Sequence, residues 1–176
     1  MTGKKTPLVA TARRALRALN RANVPYAVIG ATALGVRGLP RFTADLDVVV
    51  AREDAFAALT ALDDAGFAAD PAIEPEAEPE AVYVMRHGNG SVDVLIASAE
   101  PESTVIAEAK RAAVFGIDAP VASLEHLVLM YLYSNQPRHL GDLARIVVET
   151  RVDLALVERY LAETHPEMLS VFGRSR

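Results

Sequence analysis

Apolar residues Leu8, Ala12, Leu16 and Leu19 recur at helical spacing and predict an amphipathic helix over residues 7–22, with Pro7 at its start. The other face of that helix carries Arg13, Arg14, Arg17 and Arg21. Residues 26–29 then read as a short apolar strand ending at Gly30, and ATALGV as the first turns of a helix. Gly38, Pro40 and Thr43 form a connecting loop before a strand over residues 46–50. A second amphipathic helix is expected over 53–65, with Phe56, Leu59 and Leu62 inward and Gly66 as its stop. DPAIEPEAEPE, residues 70–80, has no periodicity and three prolines, and reads as a mobile acidic loop. AVYVMRHGNGSVDVLIA gives two strands around HGNG, a hairpin signal. Residues 102–112 are expected to be helical and 113–116 an edge strand; helices follow over 124–134, 140–149 and 153–164. This order predicts a mixed β-sheet with flanking helices, α/β or α+β, with a core over 1–120 and a helical C-terminal extension over 121–176 packed on it.

Composition narrows the setting. At 176 residues and 51% hydrophobic, the chain can bury a sizeable core. Its longest uncharged run spans 15 residues, 22–36, and is interrupted by Asn23, Pro25, Gly30 and Gly35, so no membrane span is expected. Arg13, Arg14 and Arg17 interrupt any signal-peptide core after Lys4 and Lys5, and with no cysteine there is neither a disulfide framework nor a thiolate metal site. The expectation is a cytoplasmic protein. The net charge of −5 conceals an asymmetry: residues 1–44 carry +8, residues 45–110 carry −12, and the remainder −1. A basic arm beside an acidic middle suits an anionic partner such as nucleotide or nucleic acid, or simple mutual neutralisation.

The candidate chemistry begins at RFTADLDVVV, residues 41–50. Side chains alternate along a strand, so Asp45 and Asp47 share one face while Leu46, Val48 and Val50 take the other into the core. Asp93 sits likewise within SVDVLI, with Val92, Val94 and Ile96 on the alternate face. If the two strands are neighbours, three carboxylates meet on one patch of sheet. Burying such charges is costly without a positive partner. Oxygen donors in this number suit Mg²⁺ or Mn²⁺. The other reading places the aspartates at strand ends in water, or paired with Arg37, Arg41 and Arg52. Upstream, VIGAT runs a strand into Gly30 and then a helix, which presents free backbone N–H groups to a phosphate. His87, His126, His139 and His165 have no metal-ligand spacing, and Ser91 and Ser134 show no His and Asp partners in the sequence.

The stretch VIGATALGVRGLPRFTADLDVVV resembles the signature of the polymerase-β-type nucleotidyltransferase superfamily. Its R-x-T-x-D-x-D form is similar to the abortive-infection toxin branch (AbiEii-like) and related small nucleotidyltransferases. The resemblance implies that Asp45, Asp47 and Asp93 bind Mg²⁺ or Mn²⁺ and serve catalysis. It also implies that Gly30 and Thr32 line the phosphate site, and that Arg41 and Thr43 lie at its edge. Ala31 stands where the family prefers Gly or Ser. Further on, LEHLVLMYLYSNQPRHLGDLARIV keeps Arg138 and Asp142 of the family pattern. Tyr131 falls at an expected lysine and His139 at a common Asp. The implied activity moves a nucleoside monophosphate from an NTP to a hydroxyl of a tRNA 3′ end or a protein, in a toxin kept in check by an antitoxin. A non-catalytic nucleotide- or protein-binding module of the same fold is the alternative, supported by Ala31 and the absent lysine.

Overall fold

The computed structural model describes residues 7–70, 82–97, 100–134 and 136–174, so the acidic loop expected over 70–80 lies outside the described residues except for Asp70. The chain divides into two compact units, Met1–Ala122 and Ser123–Arg176. The seven strands among the described residues belong to the first, in one mixed sheet of order β3-β4-β5-β2-β1-β7-β6. In chain order its elements are α1 (Pro7–Arg21), β1 (Tyr26–Val28), α2 (Gly30–Val36), β2 (Asp45–Ala51), α3 (Ala55–Asp64), β3 (Ala68–Ala69), β4 (Val82–His87), β5 (Gly90–Ala97), α4 (Glu102–Glu108), β6 (Lys110–Val114) and β7 (Ile117–Val121). The expected mixed α/β architecture is present. Among the described residues no helix is long and apolar enough to cross a membrane.

The sheet is built around β2 and β5, which run parallel and in register from Asp45 opposite Ser91 to Ala51 opposite Ala97. Leu46, Val48, Val50, Val92, Val94 and Ile96 form one buried face of this pair. That face packs under α1: a Cβ added to Gly90, on the same side as Val92, would run into the Thr11 side chain. Ala12, Ala15, Leu16 and Leu19 are buried along α1, as its periodicity requires. The opposite face is polar at Asp45 and Asp47 and apolar at Val49, which is fully buried. The run VVV in β2 therefore marks where both faces of the sheet become covered.

Three expectations are corrected. Phe56 is 84% exposed, while Ala58 and Leu62 are fully buried. At 100° per residue Phe56 lies about 200° round the helix from Ala58, so it faces solvent. The helix expected over 102–112 stops at Glu108, and Lys110 begins an edge strand paired antiparallel with β7. Gly116, at φ +77°, makes the turn between them. Strand β7 itself was not anticipated, because Pro120 breaks its pattern. The proline is tolerated because β1 pairs with β7 only at Val121.

The second unit is helical: α5 (Leu124–Ser134), α6 (Pro137–Glu149), α7 (Leu154–Thr164) and α8 (Leu169–Arg174). Leu143, Ile146, Val157, Leu161 and Phe172 are buried within it. Glu125 accepts a hydrogen bond from the Asp153 backbone N–H at 2.9 Å, at the start of α7. Burial raises the Glu125 pKa, but that bond, its own backbone N–H and the Ser123 hydroxyl outweigh it and hold the carboxyl below its ordinary value.

Candidate active site

Parallel pairing sets Asp47 directly opposite Asp93, and Asp45 opposite Ser91. Adjacent strands lie about 4.8 Å apart, so the Asp47 and Asp93 side chains leave the same face as immediate neighbours. Asp45 follows on that face one pleat away. The expected meeting of three carboxylates on one patch of sheet is thus present as a shared face. Each of the three aspartates is half-buried.

Two local features fix this face. Thr43 Oγ1 donates to Asp45 Oδ1 at 2.6 Å, so the loop ahead of β2 holds the first carboxylate. On the other side, the Ile29 N–H donates to the Asp47 carbonyl at 3.0 Å, carrying the β1–β2 pairing one residue beyond β1. Gly30 follows at φ +61°, and a Cβ there would overlap the Asp47 carboxylate. Glycine is required at this position twice over, by the left-handed backbone and by the close approach.

Helix α2 opens at that glycine, and no side chain among the described residues caps it. The N–H of Ala33 is the first to bond back, to the Ile29 carbonyl, leaving the preceding N–H groups of the turn without an intrahelical acceptor. Thr32 is 6% exposed and its Oγ1 has no hydrogen-bond partner among the described residues. A buried hydroxyl without a partner is costly, which points to a ligand that completes it. Ala31 is buried in the same turn.

Arg37 does not neutralise the aspartates. Its Nε donates to the Ala122 carbonyl at 2.9 Å and its Nη2 to the Val121 carbonyl at 2.8 Å, fastening the end of α2 to the end of β7. Arg41 is half-buried and donates to the Phe42 carbonyl at 3.3 Å. The donor chemistry of the face, all carboxylate and hydroxyl oxygen, fits a hard divalent cation. The missing Cβ at Gly30 is what lets the Asp47 carboxylate close against the turn that opens α2. Among the described residues, no group of three or more His, Asp or Glu side chains is closed up as a metal cluster. The structure supplies the Asp47–Asp93 pair, with Asp45 tied to Thr43.

Arg138 and Asp142 lie on α6 of the second unit, Arg138 exposed and Asp142 buried. Tyr131, at the position expected for a lysine, is buried in α5 and stacks on His139, with ring centroids 4.6 Å apart. His139 Nδ1 also contacts Ser134 Oγ, a serine–histidine contact that the sequence did not reveal. The Thr43–Asp45 bond and the Arg37 staple were likewise missed. A threonine two residues before an acid was the available signal for the first.

No protein-family model matches the chain, and no curated protein matches it. Solved structures do. The crystal structure of ANT(2″)-Ia in complex with adenylyl-2″-tobramycin is similar with a TM-score of 0.54 at 19% identity, over 93% of this chain and 92% of that one. The solution structure of the antibiotic-resistance factor ANT(2″)-Ia gives 0.53 at 18% identity, over 93% and 87%. A Thermotoga maritima protein assigned as a nucleotidyltransferase gives 0.55 at 15% identity, over 81% and 93%. At such identities the likeness establishes architecture: the chain has the fold of these nucleotidyltransferases.

Proposed function

We propose that the protein is a metal-dependent nucleotidyltransferase that moves a nucleoside monophosphate from a nucleoside triphosphate to an acceptor hydroxyl. The observation that carries this reading is the pairing of Asp47 with Asp93 beside the Gly30 turn. Asp45, Asp47 and Asp93 would hold Mg²⁺ or Mn²⁺, which when bound neutralises triphosphate charge and acidifies a coordinated hydroxyl. The open N–H groups from Gly30 to Thr32 bind phosphate oxygens, and the Thr32 hydroxyl gains the partner it lacks. Thr43 orients Asp45, and Arg41 stands at the rim. Asp93 accepts the proton of the acceptor hydroxyl as that oxygen bonds to the α-phosphorus and the bond to pyrophosphate breaks. The similarity to a structure holding an adenylylated product supports this reaction class.

Finer assignments rest on the sequence alone: from the resemblance, a tRNA 3′ end or a protein as acceptor, the AbiEii-like toxin role with its antitoxin, and substrate handling by Arg138 and Asp142; from composition, a cytoplasmic setting. A second reading, a binding module without catalysis, is favoured by Tyr131, whose buried ring is committed to stacking where relatives carry a lysine. Incubation with Mg²⁺, labelled triphosphates and total RNA separates the two. Label transfer that disappears in Asp47→Ala supports the enzyme. Nucleotide binding without transfer from any triphosphate supports the module.

A further inference from the structure

A pocket of about 300 Å³ is lined by Ala10, Arg13, Arg14, Arg17 and His87. It lies on the face of the sheet away from the aspartates. His87 pairs with Gly90 across the β4–β5 ladder, and Gly90 abuts Thr11 of α1, whereas Asp93 falls on the alternate face. The carboxylate site makes no use of this pocket.

No acid lines it. Arg14 is committed to the fold, since its Nη1 donates to the Ala65 carbonyl at 2.9 Å, just after α3. Arg13 and Arg17 have no hydrogen bond or ion pair among the described residues, and neither has Arg21 one turn on. Arg13, Arg17 and Arg21 follow one another at four-residue intervals, about 6 Å apart along the axis. Like charges at that spacing weaken a helix. A partner carrying negative charge at regular intervals relieves the repulsion along the whole row, whereas a lone phosphate reaches only its pocket end. The overall negative charge of the chain makes this concentration local and directional.

We propose that this row binds the phosphodiester backbone of a single-stranded nucleic acid, with one phosphate seated between Arg13, Arg17 and His87 and the strand continuing toward Arg21. Lying on the other face of the sheet from the carboxylates, this binding surface stands apart from the transferase reading.

The test is fluorescence anisotropy of a labelled single-stranded RNA oligonucleotide, titrated at several salt concentrations. Three arginine–phosphate contacts give a log–log salt slope of about −2, so affinity falls roughly 20-fold between 50 and 200 mM salt. Arg13→Ala/Arg17→Ala leaves one contact and roughly a 3-fold fall over the same range. Arg13→Lys/Arg17→Lys keeps the slope, because the charges remain. Arg14 is left intact to preserve its bond to Ala65, and circular dichroism confirms the fold of each variant. An unchanged affinity and slope in the double alanine variant overturns the proposal. So does displacement of the RNA by inorganic phosphate at equal phosphate concentration, which assigns the pocket to a free phosphate compound. Asp47→Ala separates the two claims: RNA binding retained with transfer lost agrees with both. Wild-type protein that binds RNA in this manner but transfers nothing removes only the transferase reading.

Discussion

Gly30→Ala perturbs the one position where backbone conformation and the candidate chemistry meet. The new methyl group faces two problems. At φ +61° an L-residue is strained by about 1–2 kcal/mol whatever the space around it. The methyl also overlaps the Asp47 carboxylate, whose Cβ alone lies 3.0 Å from the added carbon. Asp47 relieves the overlap only by turning, and turning takes its oxygens out of line with Asp93. The backbone term alone lowers the melting temperature by about 2–8 °C for a chain of this size. A carboxylate displaced by an ångström costs about a hundredfold in rate. Gly35→Ala is the matched control: it lies within α2, and its added Cβ meets nothing within 4 Å. That change stabilises by about 0.4–1 kcal/mol and leaves transfer unchanged. Differential scanning calorimetry and a labelled-nucleotide transfer assay read both variants. In Gly30→Ala/Asp47→Ala the carboxylate overlap is removed and only the 3.0 Å contact with the Cβ at position 47 remains, so its stability exceeds the sum of the two single effects. Additive losses, or a Gly30→Ala protein as stable and active as wild type, refute the close approach as the reason for the glycine.

Other outcomes follow from packing and titration. Leu62→Ala costs about 2–5 kcal/mol because Leu62 is fully buried, whereas Phe56→Ala stays within about 0.5 kcal/mol of wild type in urea melts. Thr43→Val removes the donor to Asp45 and lowers the apparent Mg²⁺ affinity in the transfer assay by about 10–100-fold; Thr43→Ser restores it. Burial, with Arg111 opposing and Asp118 reinforcing it, pushes the Tyr26 phenol up to about 12. A raised folded pKa means that this contribution is complete below pH 10 and is lost as pH rises toward about 12. Tyr26→Phe therefore flattens the alkaline limb of the stability–pH curve measured by denaturant titration.

The candidate site was legible in the sequence to the extent that it is written in strand alternation. Asp45 and Asp47 against Leu46 and Val48, and Asp93 against Val92 and Val94, set the carboxylates on the polar face of each strand. Only pairing could show that Asp47 and Asp93 stand in the same row, because register joins residues far apart in the chain. The close fit of Gly30 to Asp47 and the Thr43–Asp45 bond are equally products of three-dimensional approach. Edge elements were harder. Lys110 and Arg111 hide the alternation of β6, and the partner that makes it a strand contains a proline. Phe56 misled because apolar spacing of three residues drifts round a helix of 3.6 residues per turn, and the burial of Ala58 is invisible to hydropathy. The arginine face of α1 was evident at once. Its pocket was not, since His87 joins it only through the hairpin ladder to Gly90.

The central claim is that Asp47 and Asp93 act as one unit. The most direct measurement is nucleotide transfer, in the presence of Mg²⁺, by Asp47→Asn, Asp93→Asn and the double variant beside wild type. These near-isosteric changes remove charge and leave the strands in place. The account predicts that either single change abolishes almost all transfer and that the double change removes no more, as for residues sharing one step. Transfer undiminished in Asp47→Asn, or losses that multiply independently across the two positions, would contradict it.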